Sequence, residues 1–178
     1  MRLKIIGSAA GGGFPQWDCN YRLSRAAWNG QANVRGRTQS SIPGTANGND
    51  WILFNASPDI RQQIAATPEL QPKPDGPLRS TPIRAVVLTN ADVDHSGGLL
   101  SLRERQMFDL IALPAVHAAL AGNPIFGAVS AKSIPAVPRE PLQTHDGLTV
   151  ELFPVPGKAP LYLEGDDPRI GSEAGETA

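Results

Sequence analysis

The stretch that most constrains this chain is Leu88-Thr89-Asn90-Ala91-Asp92-Val93-Asp94-His95-Ser96-Gly97-Gly98. It places two carboxylates, one carboxamide and one imidazole within six consecutive residues. The residues before it, Ala85-Val86-Val87-Leu88, are apolar and mostly branched, and they read as a buried strand beginning after Pro82. Gly97-Gly98 closes the loop, and Leu99 to Glu104 reads as a helix. A polar cluster at the C-terminal end of a buried strand is where open α/β sheets hold their ligands, so the fold class expected is α/β. Asp94 and His95 are neighbours, and an irregular loop can turn both towards one point. A hard oxygen beside an imidazole suits iron, zinc or manganese better than a structural calcium. The competing reading is plainer: Asp and Asn cap turns and helices after strands, so Asp94 caps the following helix and binds nothing.

Laid over the metallo-β-lactamase superfamily signature H-x-H-x-D-H, the segment reads Asn90-x-Asp92-x-Asp94-His95. In that superfamily the first two histidines serve one metal position and the Asp-His pair serves the second. The resemblance implies that the first position has lost its imidazoles while Asp94 and His95 remain as metal ligands. A third histidine of the first position follows a Pro-Gly after a later strand, and Pro156-Gly157-Lys158 puts Lys158 in its place.

Flanking segments sharpen this. Gly7 to Trp17, Arg37 to Ile42, Asn55 to Gln63, Thr89 to Glu104 and Pro156 to Tyr162 together resemble the pyrroloquinoline quinone (PQQ) biosynthesis protein B family, in family order. The resemblance implies a metallo-β-lactamase-like αββα sandwich. Residues 1–165 are expected to form mainly its N-terminal half, with 166–178 an acidic, flexible tail. The superfamily's later bridging Asp and final His belong to a part of the pattern beyond Ala178. Family members carry a cysteine cluster after the Phe-Pro-Gln-Trp segment that can hold a structural zinc. Here Cys19 stands alone, one thiolate cannot close a tetrahedral site, and no structural zinc is expected.

The 18 glycines and 17 prolines make about a fifth of the 178 residues, against about an eighth in ordinary proteins, which favours a loop-rich fold over a helical bundle. A net charge of −1 offers no footprint for nucleic acid. No stretch reaches the length of a membrane span, no signal peptide is evident, and a cytoplasmic location is expected. Leu3 to Ala9, Gln39 to Ile42, Trp51 to Asn55 and Leu148 to Val155 read as further strands. Ser57-Pro58-Asp59 reads as a helix start, with Ser57 as the cap, so Asp59 is a helix-start residue and not a ligand. Pro114 to Ala121 reads as a short helix carrying a structural His117, and His145-Asp146-Gly147 as a hairpin turn. The turn Gly11-Gly12-Gly13 lacks the lysine and hydroxyl of a phosphate loop. Half a sandwich leaves an apolar sheet face bare, so the expectation is low stability, self-association such as a homodimer, or a chain that is a fragment of a longer natural product.

Three functions follow from the resemblance. The first is iron-dependent hydroxylation of a tyrosine-derived PQQ precursor by dioxygen at a mononuclear Fe(II) site, with zinc as a substitute ion. Asp92 would orient an imidazole or a metal-bound water, and Lys158 would hold an anionic substrate. The second is binding or transport of PQQ or its precursor towards the periplasm. The third is metal-dependent hydrolysis of the phosphodiesterase kind, against which residues 90, 92 and 158 argue. Two ligands are too few for tight capture, so these residues alone are expected to bind metal weakly.

Overall fold

The computed structural model describes residues 1–144, 147–163 and 170–177, the side chains at 158, 161 and 170–177 excepted. A six-stranded sheet is built from β1 (Arg2–Leu3), β2 (Ile42–Thr45), β3 (Trp51–Phe54), β4 (Ile83–Val87), β5 (Phe108–Ala112) and β6 (Ala131–Pro135), side by side in chain order. The first three strands are antiparallel, and β3 to β6 run parallel. Parallel neighbours need crossovers, and these carry α2 (Ile60–Ala65), α3 (Val93–Ser96) and α4 (Pro114–Ala121). A further helix, α1 (Arg22–Trp28), precedes β2.

The strand residues divide between two cores. Trp51, Leu53, Val86, Leu88 and Leu110 pack with Ile60, Leu99, Val116 and Leu120 from the crossovers. On the other face, Ile52, Ala85, Val87 and Ile111 pack under Val150 and Leu152, joined by Leu142 and Leu148. The period-two alternation slips once, between Ile83 and Ala85, where Arg84 points outward to Asp50 at 2.7 Å. The second face is therefore not bare: Ile52, Ala85, Val87 and Ile111 are at most 1% exposed. Its cover is the hairpin of β7 (Leu142–Gln143) and β8 (Thr149–Val150) with the residue pair that follows, which brings apolar side chains down on the sheet. The reason for expecting a homodimer does not hold over these residues.

Several boundaries differ from expectation. The opening strand is only two residues long, continued by isolated bridges from Gly7 to Ser41, Ala9 to Gln39 and Phe14 to Arg37. Helix α2 starts at Ile60, because the Ser57 hydroxyl donates to Gln63 Oε1 at 3.2 Å instead of capping. Gly97–Leu102 is a tight three-residue-per-turn helix that ends before Glu104. Residues 170–177, expected to be a flexible tail, form β10 antiparallel to β9 (Pro154–Lys158), a pairing made by backbone groups that needs no apolar pattern. His145 and Asp146 lie outside the described residues. Among those described, no helix is long and apolar enough to cross a membrane.

Candidate metal centre

The loop after β4 is pinned to the end of β3. Asn55 adopts φ 60°, a left-handed conformation that Asn tolerates better than most residues. From there its Oδ1 accepts the Thr89 N–H at 3.0 Å and the Thr89 hydroxyl at 3.2 Å. The next residue holds the C-terminal end of α3 and the residues just after it: Ala56 N–H donates to the His95 carbonyl at 2.7 Å, and Gly98 N–H donates to the Ala56 carbonyl at 2.8 Å. Gly98 is required here, because a Cβ would run into the carbonyl oxygens of Ala56 and Ser57.

Residues 93–96 form one helical turn and not the irregular loop expected. Asp92, and not Asp94, is the residue before that turn, and its side chain makes no capping bond. Asp94 and His95 are the second and third residues of that turn, both half-buried. Asp94 lies against the glycine turn: a Cβ on Gly11 would sit 3.6 Å from Asp94 Oδ2. Gly12 and Gly13 adopt φ 85° and 75°, and their N–H groups are taken by Gln39 Oε1 at 3.1 Å and the Ala10 carbonyl at 3.1 Å. Those two groups are thus committed within the protein. Gln39 in turn donates its N–H and Nε2 to Asp59 Oδ2 at 2.9 and 3.1 Å, so Asp59 supports the glycine turn.

His95 Nδ1 lies 2.6 Å from Oδ1 of the buried Asn90, and the same oxygen accepts the Asp92 N–H at 3.0 Å. The partner of the His95 ring is therefore Asn90 and not Asp92, which leaves for Asp92 the other expected role, orienting a metal-bound water. Asp92 lies near Tyr162, a residue not singled out in the sequence. The Tyr162 hydroxyl donates to the Ala91 carbonyl at 2.8 Å across 71 residues of chain. Burial, and secondarily the Asp92 charge, push the Tyr162 phenol above its ordinary value. Lys158 ends β9, and its side chain lies outside the described residues; the segment just after it returns to Ala91. Beside Ala91 opens a mainly apolar cavity of about 390 Å³, lined by Val116, Ala119, Pro160 and Leu163, within the size range of small-molecule sites.

A raised phenol pKa means the folded state holds that proton more tightly than the unfolded chain does. The resulting stability is complete below about pH 10 and is lost as pH rises through the folded value. Tyr162→Phe is expected to cost about 0.5–1.5 kcal/mol at neutral pH. The loss is modest because the Ser96 hydroxyl also donates to the Ala91 carbonyl, at 3.0 Å. Urea unfolding should show this difference narrowing above about pH 10; a difference that stays constant there would remove the phenol from the account.

One carboxylate and one imidazole suit iron or zinc in donor chemistry. Among the described residues no three His, Cys, Asp or Glu side chains gather as a metal site, so Asp94 and His95 are a candidate pair and not a complete donor set. Cys19 is not part of any such group; its sulfur accepts from the Ser24 hydroxyl at 2.9 Å. His117 is structural, facing the Ile134 carbonyl at 3.2 Å through Nε2 and the Ser133 hydroxyl at 3.0 Å through Nδ1.

A helix-covered mixed sheet with an Asp-His pair at the end of a parallel strand places this chain in a known class. Residues 50–177 match the beta-lactamase superfamily domain, and the chain belongs to that superfamily. Within it, the sequence is similar to coenzyme PQQ synthesis protein B. The protein from Methylorubrum extorquens is 48% identical over 180 residues, covering 99% of this chain and 60% of the relative. The one from Xanthomonas oryzae pv. oryzae is 49% identical over 167 residues, covering 92% of this chain and 55% of the relative. The chain thus spans about three-fifths of the length of these relatives. The crystal structure of zinc-bound PqqB from Methylobacterium extorquens superposes with a TM-score of 0.93 at 47% identity, over 99% of this chain and 60% of that one. A diphosphatase of the PhnP family gives a TM-score of 0.64 at 20% identity, over 87% of this chain and 56% of that one, a likeness of fold alone.

Proposed function

We propose that this chain acts in PQQ synthesis, at a single metal ion held by Asp94 and His95 together with further ligands that are not among the described residues. The reading extends to hydroxylation of a tyrosine-derived precursor by dioxygen, with Fe(II) as the working ion and zinc as its substitute, in the cytoplasm. The observation that carries the one-metal reading is the double use of Asn90 Oδ1. Both of its acceptor positions are occupied, by the His95 ring and the Asp92 N–H, so it has none left for a second ion. A dinuclear hydrolase uses two ions to activate water and clamp an oxyanion, and the committed Asn90 oxygen argues against a first site of that kind among the described residues. The similarity to PQQ synthesis protein B supports the pathway.

A bound ferrous ion would supply one-electron chemistry with dioxygen. The chain's own residues would do the rest. Asp94 and His95 hold the ion, and the glycine turn shields the Asp94 carboxylate from water. The cavity beside Ala91 takes the apolar ring of the substrate, and the Lys158 ammonium pairs with a substrate carboxylate. Asp92 would accept a hydrogen bond from a water molecule at the site and so orient it.

The test is restoration of PQQ in a producing bacterium that lacks its own protein B, using the natural reading frame that contains this chain. Restoration is expected with the unaltered gene and is lost with Asp94→Ala or His95→Ala. The purified product of that frame should consume oxygen with Fe(II), a reductant and a tyrosine-like diacid. Restoration by both variants would point to the carrier role, and zinc-dependent phosphodiester cleavage without oxygen uptake to the hydrolase.

A further inference from the structure

The contact between Asn90 and His95 has a consequence for which ring nitrogen faces the metal. Asn90 Oδ1 and Nδ2 are distinguished here by a third group: the Asp92 backbone N–H, 3.0 Å away, can only donate, so the atom it meets is the oxygen. A carboxamide oxygen can only accept. The His95 Nδ1 that lies 2.6 Å from that oxygen therefore carries a proton. A neutral imidazole has one N–H, so Nε2 keeps the lone pair.

We propose that Asn90 is a positioning residue that selects the Nδ1–H tautomer of His95 and so presents Nε2 as the ligating nitrogen. The inference rests on the metal reading given above and adds a function for a residue that otherwise stands only where a ligand is missing. Asn90 is suited to this. It is buried, it sits at the mouth of β4, and its carboxamide is held by the Asp92 N–H within the same loop. Ring orientation and tautomer are thus fixed before any ion arrives, which is what a partner on the non-ligating nitrogen does for a metal-binding histidine. A carboxamide does this without adding charge. The Asp94 carboxylate is then the anionic group of the ligand pair.

The experiment is 15N NMR of the imidazole nitrogens in the metal-free chain with the rings neutral, followed by Zn2+ titration. The His95 signals are assigned by their loss in His95→Gln. In the unaltered chain Nδ1 should resonate as the protonated nitrogen and Nε2 as the unprotonated one. Asn90→Leu, which offers no acceptor, should shift His95 towards the Nε2–H form and weaken zinc binding by about 10- to 100-fold. Asn90→Asp restores an acceptor oxygen and should restore both the tautomer and zinc binding. This rescue separates tautomer control from a general packing role, and thermal unfolding shows whether Asn90→Leu still folds. An Nε2–H tautomer in the unaltered chain, or a tautomer unchanged in a folded Asn90→Leu, overturns the proposal. If Asn90→Leu does not fold, the unaltered chain and Asn90→Asp decide it. Should the expected tautomer appear while Zn2+ fails to bind, the tautomer assignment stands and the metal reading falls.

Discussion

Gly98→Ala is expected to be among the most damaging single methyl groups that can be added to this chain. The added carbon meets the carbonyl oxygens of Ala56 and Ser57, which are backbone atoms and cannot rotate away as a side-chain end would. The contact cannot open without loss elsewhere, because the Gly98 N–H donates to the Ala56 carbonyl and the Ala56 N–H holds the His95 carbonyl. Overpacking typically costs about 1–3 kcal/mol, and this double backbone clash puts the expected cost at about 3 kcal/mol or more. For a chain of this size that is a fall in Tm of about 6–12 °C. Gly127→Ala is the control: a Cβ there meets nothing within 4 Å, and the change should stay within about 0.5 kcal/mol. Thermal unfolding of the two variants side by side decides the matter. A Gly98→Ala chain that melts with the parent would mean that residues 56 and 98 are not in contact.

The same few residues show how far the sequence could be read. Strands β3 and β4 are legible because Trp51 to Phe54 and Ala85 to Val87 are uninterrupted apolar runs, as strands buried on both faces require. Helix α4 is legible from its ends, with Pro114 opening it and Gly122 following it. Strands β5 and β6 left no such trace. Asp109 interrupts the first, and the second, Ala131 to Pro135, carries an exposed Lys132 and Ser133 as an edge strand does. Their identity comes from the parallel partner beside each. Helix α1 escaped for the opposite reason. It buries Ser24 and Ala26 while Leu23 and Trp28 are about half exposed, so its apolar periodicity points away from the core.

At the candidate site, residue type and spacing were enough to propose Asp94 and His95 from six residues of sequence. The supporting partners were not legible, because they are distant in the chain or change their meaning on folding. Gly11 reaches Asp94 only through the pairing of the N-terminal segment with the region of β2, and Tyr162 reaches Ala91 only through the return of the chain after β9. Asn90 was visible but read as an absence. Its hydrogen bond to His95 exists because α3 turns the imidazole back over the strand end, and no residue spacing encodes that.

Removing either side chain of the Asp-His pair is expected to abolish specific metal binding, the largest effect on the proposed function. With two proposed ligands among the described residues, Asp94→Ala or His95→Ala leaves one, which holds an ion little better than a single side chain in water. The loss should exceed the about 10- to 100-fold that follows removal of an outer partner such as Asn90. Binding can be read without any activity, through stability. An ion that binds only the folded chain adds about 2.7 kcal/mol at a concentration 100 times its Kd, and for a chain of this size that raises Tm by about 5–11 °C. Zn2+ should therefore stabilise the unaltered chain and neither variant. His117→Ala separates a specific site from adventitious histidine binding: that ring is engaged by Ser133 and the Ile134 carbonyl, and its loss should lower stability while leaving the zinc-dependent rise in place. If zinc stabilises Asp94→Ala and His95→Ala as much as the parent, the ion binds elsewhere, and the strand-end pair is a structural remnant of the superfamily site.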